Sequence, residues 1–176
     1  MSTYSHLDAR LDQFDGENLD LLVRISEDWP PDTELLQHLL RFGETAGGDG
    51  QVAATWLLKR YQEAGAPFPE SLVVPVLELL GAVGRWESRL HLLQMLPDLT
   101  IPSSSAESLK DSLIAWTQDR NLFVRAWAYS GLHGLASNYP KYRSQVMPLL
   151  ERAKTEESAS VRARLRQLPD FDRDQE

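Results

Sequence analysis

Residues 146–168 read Val-Met-Pro-Leu-Leu-Glu-Arg-Ala-Lys-Thr-Glu-Glu-Ser-Ala-Ser-Val-Arg-Ala-Arg-Leu-Arg-Gln-Leu. Two helices meet in this stretch, one over residues 141–155 and one over residues 159–168, the second with Val161, Leu165 and Leu168 on one side. Upstream, Asp119, Val124 and Arg125 reproduce the spacing of Glu156, Val161 and Arg162, between helices predicted over residues 106–118 and 122–137. Further out, Val74-Pro75-Val76-Leu77 opens a pair over residues 71–83 and 85–96, and Arg89 follows Pro75 at the offset that separates Arg162 from Pro148. Residues 33–44 and 51–63 make another pair around the glycine-rich Ala46–Gly50 turn. A degenerate pair over residues 4–14 and 17–28 ends at Trp29-Pro30-Pro31. No alternating β-branched run is bounded by Asn-Gly or Asp-Gly, so the chain reads as all-α, with residues 97–105 its one long irregular segment.

The second helix of each pair begins near residues 17, 51, 85, 122 and 159, a repeat of 34 to 37 residues with two helices per unit. Proline in a helix interior removes a backbone donor and clashes with the preceding turn, so Pro75 and Pro148 either bend their helices or sit in a first turn. Gly131 and Gly134, within one helix, each cost roughly 1 kcal/mol relative to alanine. Close approach of a neighbouring helix is the expected compensation.

This pattern resembles the HEAT repeat family, which places a proline in the first helix, an Asp in the turn and a Val-Arg pair at the start of the second helix. The likeness covers most of residues 33–168 and is fullest in the last two units. The third unit departs from it with Val83 and Ser88 in the Asp and Val places, and the second has none of the signature in register. The resemblance implies a short right-handed α–α superhelix of about five helical pairs, a solenoid spanning residues 1–168 as one domain. Residues 1–28 would cap it, and residues 169–176 would form an acidic tail. It also implies a structural ladder between units, made by Asp119, Arg125, Glu156 and Arg162.

Composition bounds the function. The chain has 176 residues, 18 Lys and Arg against 26 Asp and Glu, a net charge of −8 and no cysteine. Disulfide frameworks, thiolate metal sites and a cysteine nucleophile are excluded, and a cytoplasmic protein is expected. The longest apolar run, residues 72–83, is short for a bilayer and contains Pro75 and Glu78. Residues 1–116 carry a net charge of −10, which repels nucleic acid and membrane surfaces, whereas residues 117–166 carry +5 and can attract a local anion.

Catalytic patterns are missing from the sequence. His6, His38, His91 and His133 fall in different pairs with no metal-ligand spacing. Gly47-Gly48-Asp49-Gly50 lacks the Lys-Ser/Thr of a phosphate loop and reads as a turn, and Ser103–Ser105 reads as linker ending in a helix N-cap. No enzyme activity, metal or cofactor is expected.

A stack of helical pairs lines up its second helices on one wall, so phasing each on its apolar stripe finds the outward residues. Buried stripes of Ala54, Leu58, Tyr61; Ser88, Leu92, Met95; Val124, Ala128, Leu132, Leu135; and Val161, Leu165, Leu168 leave Trp56, Lys59, Arg60, Leu90, Leu93, Ala126, Tyr129, Ser130, His133 and Arg166 facing out. Aromatic, aliphatic and basic groups together are typical anchors of recognition. Trp86, Trp116 and Trp127, beside the apolar stripes, are expected to pack between units. The leading expectation is a non-enzymatic scaffold or regulatory module that binds a protein or peptide on its concave wall. The alternatives, also drawn from HEAT-like arrays, are a DNA glycosylase of the alkylpurine type and a chromophore lyase.

Overall fold

Short polar side chains start the helices. Asn18 accepts from the Leu21 amide at 3.2 Å, Asp32 from Leu35 at 2.7 Å, Asn121 from Phe123 and Val124, and Ser158 from Val161. Each supplies an acceptor for amides that the first turn leaves unpaired. The exposed Asp15 carboxylate accepts from the Asn18 and Glu17 amides, and those bonds hold its pKa below the usual carboxylate range.

The computed structural model describes residues 4–171, and every regular element among them is helical. The α-helices are α1 (Ser5–Leu11), α2 (Leu19–Asp28), α3 (Thr33–Thr45), α4 (Gly48–Glu63), α5 (Val73–Ala82), α6 (Trp86–Met95), α7 (Ser103–Trp116), α8 (Leu122–Asn138), α9 (Arg143–Glu156) and α10 (Ala159–Leu165). The all-α reading therefore stands. Most boundaries move by one to three residues, α10 stopping at Leu165 rather than Leu168, and two of the shifts change a reading. Pro102 holds the extended backbone from which α7 starts, so Ser103–Ser105 form its first turn rather than a linker. Gly48, Asp49 and Gly50 likewise belong to α4, where Asp49 suits the positive end of the helix. Of the expected tail, residues 172–176 lie outside the described residues.

The chain divides into two compact units, residues 1–100 and 101–176. In the first, α4 packs against α3 and also against α2 and α6, so the second helices of three successive pairs lie side by side. Leu22, Leu36, Leu57, Leu58, Leu79 and Leu92 are fully buried between them. Gln51, itself buried, donates to the Gly43 carbonyl at 2.9 Å and accepts from the Gly84 amide at 3.3 Å, which ties the end of α3 to the α5–α6 turn. In the second unit α8 is the central helix, touching α7, α9 and α10 around Val124, Ala128, Leu132, Val146 and Leu165.

Pro75 is the third residue of α5, where a missing amide costs no helical bond, while Pro148 lies inside α9 on its exposed side. Gly65 (φ 82°) closes α4: its amide reaches the Gln62 carbonyl and that of Ala66 the Tyr61 carbonyl, a left-handed cap that glycine adopts without strain. The close approach expected at Gly134 is absent, for a Cβ there would meet nothing within 4 Å. It occurs at Gly43 instead, where a Cβ would lie 3.1 Å from the Leu79 side chain.

Candidate functional site

The outward side of α4 and α6 forms the first part of the site. Thr55 Oγ1 and His91 Nδ1 lie 3.2 Å apart, and Gln62 Nε2 donates to the Met95 carbonyl at 3.2 Å, so the two helices are fastened along their length. That register sets Trp56 level with Leu90, and both are half-buried. One turn on, Lys59 reaches Glu63 at 2.7 Å and Arg60 is exposed. Leu93 corrects the expected phase, because it is fully buried. The helix α6 is covered by α4 and also by α5, so its apolar stripe is wide enough to take in both Leu92 and Leu93. His91 is largely enclosed as well, and burial, with the charge of Lys59 beside it, pulls its pKa from 6.5 to about 4 against the weaker pull of Glu87. Trp86, expected to pack, is 40% exposed at the start of α6.

In the second unit the correction is larger. Ala126, Tyr129, Ser130 and His133 are all buried, whereas Arg166 is exposed. The expected outward face of α8 is covered because α10 lies along it and α9 beside it. Tyr129 donates to Glu157 Oε1 at 3.4 Å, and burial together with that carboxylate raises its pKa. His133 Nε2 donates to the Pro169 carbonyl at 2.8 Å and its ring stacks on Phe171 at 4.5 Å. Arg164 fastens α10 to α8: its guanidinium lies 3.8 Å from the centre of the Trp127 ring, and Nε donates to Ser130 Oγ at 2.9 Å.

The four residues expected to form a ladder take different parts. Arg125 donates to the Asp119 carbonyl at 3.0 Å and pairs with Glu157 at 3.3 Å, both side chains being mostly buried. Glu156, one residue earlier, is exposed and pairs with Arg152 at 3.5 Å. The shift follows from where α9 stops: Glu157 is its extended C-cap residue. The Asp119 carboxylate accepts from the Asn121 amide at 2.8 Å, so its carbonyl serves Arg125. Arg162 is half-buried, and its Nε has no hydrogen-bond partner. In the first unit Arg89 donates to the Val83 carbonyl at 2.9 Å, also six residues earlier. An acidic residue in the turn is therefore not needed for this bond.

Around Arg125, Thr117, Asp119, Tyr129, Arg152 and Glu157 line a polar cleft of about 350 Å³. Glu157 and Arg164 carry none of the motif's signals, and only the packing of α10 identifies them. Among the described residues, no group of three or more His, Asp or Glu could hold a metal ion, and no helix is long and apolar enough to cross a membrane. The chain matches no protein-family model, no curated protein and no solved structure.

Proposed function

We propose that this chain is a non-enzymatic interaction module, a short HEAT-like solenoid that holds a protein or peptide on the outward side of its second helices. The observation that carries the reading is the α4–α6 face, where Trp56 and Leu90 stand half-buried at one level of two fastened helices with Lys59 and Arg60 alongside. A rigid aromatic and an aliphatic side chain beside cationic groups are what a recognition anchor requires. Support for the repeat comes from the Arg-to-carbonyl bond, made once in each unit, and from bonds between second helices at separations of 33 and 36 residues in the first unit and 34 in the second. A reducing, cytoplasmic compartment suits a chain without cysteine.

Residues 1–100 carry 7 basic and 16 acidic groups, which favours a cationic partner over nucleic acid. The DNA-glycosylase alternative would draw on Lys59, Arg60, Arg125, Arg162, Arg164 and Arg166 with Trp56 or Trp127; of these, Arg125 is engaged with Glu157, Arg164 with Ser130 and Trp127, and Lys59 with Glu63. The test is co-purification from the native cell with the wild type and with a Trp56→Ala, Leu90→Ala, Arg60→Ala variant of unchanged helical spectrum. A stoichiometric protein partner lost in the variant is the expected result. Nucleic acid alone, released by salt and indifferent to the substitutions, would sink the reading.

A further inference from the structure

The second unit contains a cavity of about 600 Å³ that the interaction reading leaves unused, lined by α9, by His133 of α8, by the end of α10 and by Leu168–Phe171. That volume is in the range of small-molecule sites. Its wall is apolar along Leu150, Leu165, Leu168 and Phe171, and Met147 lies at its edge, 45% exposed. A soft, unbranched side chain left in water at such an edge adapts readily to an apolar guest. The Pro169–Phe171 wall is fixed by His133, which holds the Pro169 carbonyl and stacks on the Phe171 ring.

The charges around the cavity are unequal in what they have left to offer. Lys154 is paired with Glu151 at 2.6 Å. Arg143 donates to the Ala136 carbonyl at 3.3 Å and lies 5.3 Å from the centre of the Phe171 ring, which makes it part of the wall. Glu151 and Asp170 are the two carboxylates of the lining. Arg166 is exposed and makes no ion pair among the described residues. Because Arg143 meets Phe171, the start of α9 lies beside the end of the described chain. Lys154, eleven residues or about 16 Å further along α9, marks the opposite end of the cavity. Three cations against two carboxylates give the lining a positive balance in a chain whose net charge is −8.

We infer that this cavity binds an amphipathic monoanion, a fatty carboxylate of medium length, with its carboxylate on Arg166 and its chain laid along Leu150, Leu165 and Leu168 toward Phe171. A guanidinium takes a carboxylate through two parallel N–H donors, which an alcohol of the same length cannot match. The apolar wall supplies most of the affinity and Arg166 supplies the discrimination between head groups.

Fluorescence titration of the full chain with anilinonaphthalene sulfonate, followed by displacement with dodecanoate, dodecanol or dodecylammonium, tests this. One saturable site is expected, with dodecanoate displacing the probe best, and Arg166→Gln weakening dodecanoate about tenfold while leaving dodecanol unchanged. Phe171→Ala should weaken both. Failure to saturate, equal displacement by all three head groups, or an unchanged dodecanoate affinity in the Arg166→Gln protein would each overturn the inference. Thermal unfolding of each variant separates a lost site from a lost fold, and the α4–α6 variant should bind dodecanoate as the wild type does.

Discussion

His91 shows how far one residue's chemistry depends on neighbours that a sequence does not name. Its pKa falls from 6.5 to about 4 because the folded chain encloses it against Thr55 with Lys59 nearby. The unfolded chain then binds the proton more readily, so the contribution to stability is complete above the unfolded value and is lost as pH falls from 6.5 toward 4. From about pH 7 to about pH 5 the loss is about 2 kcal/mol. Urea unfolding at the two pH values should show it, and a His91→Gln protein should show a much flatter dependence. An equal acid sensitivity in that variant would mean another group carries the effect. The sequence separated the four histidines and found no metal spacing among them, but the enclosure of His91 was out of its reach. Phasing α6 on Ser88, Leu92 and Met95 assumes one covering neighbour, whereas the helix has two. For the same reason Leu93, Tyr129 and His133 are inside rather than out.

Among the helices, starts were more legible than surroundings. Second helices begin at residues 19, 48, 86, 122 and 159, within three residues of where the 34-to-37-residue period puts them. Caps and periodicity are local properties, written into a few consecutive residues. What faces a helix is not local, and glycine exposes the difference. Gly134 lies in open space, so Gly134→Ala should gain about 1 kcal/mol through helix propensity and a less flexible unfolded chain. The same change at Gly43 drives a methyl to 3.1 Å from Leu79 and should offset that gain or reverse it. Urea midpoints of the two variants should move apart. A Gly134→Ala protein less stable than the wild type would place a neighbour where the structure has none.

At the scale of the whole molecule, charge dominates what can be anticipated. Residues 1–100 hold 16 acidic groups against 7 basic ones, a self-repulsion that dissolved ions relieve. Raising salt from roughly 10 mM to roughly 300 mM cuts the Debye length from about 30 Å to below about 8 Å, and the urea midpoint should rise. A fall would mean that pairs such as Arg85–Asp49 and Lys59–Glu63 outweigh the excess of like charge. The balance of acid and base is read directly from the sequence. The cavity against α9 is not, since Arg143, Met147, Leu168 and Phe171 come together only after α10 and the residues following it have turned back along α9. A turn whose arginine holds a main-chain oxygen is indifferent to the side chain that carries the oxygen: Asp119 and Val83 serve alike. Such a joint tolerates spelling changes that its mechanics never register, so the architecture can outlast the signature by which it would be recognised.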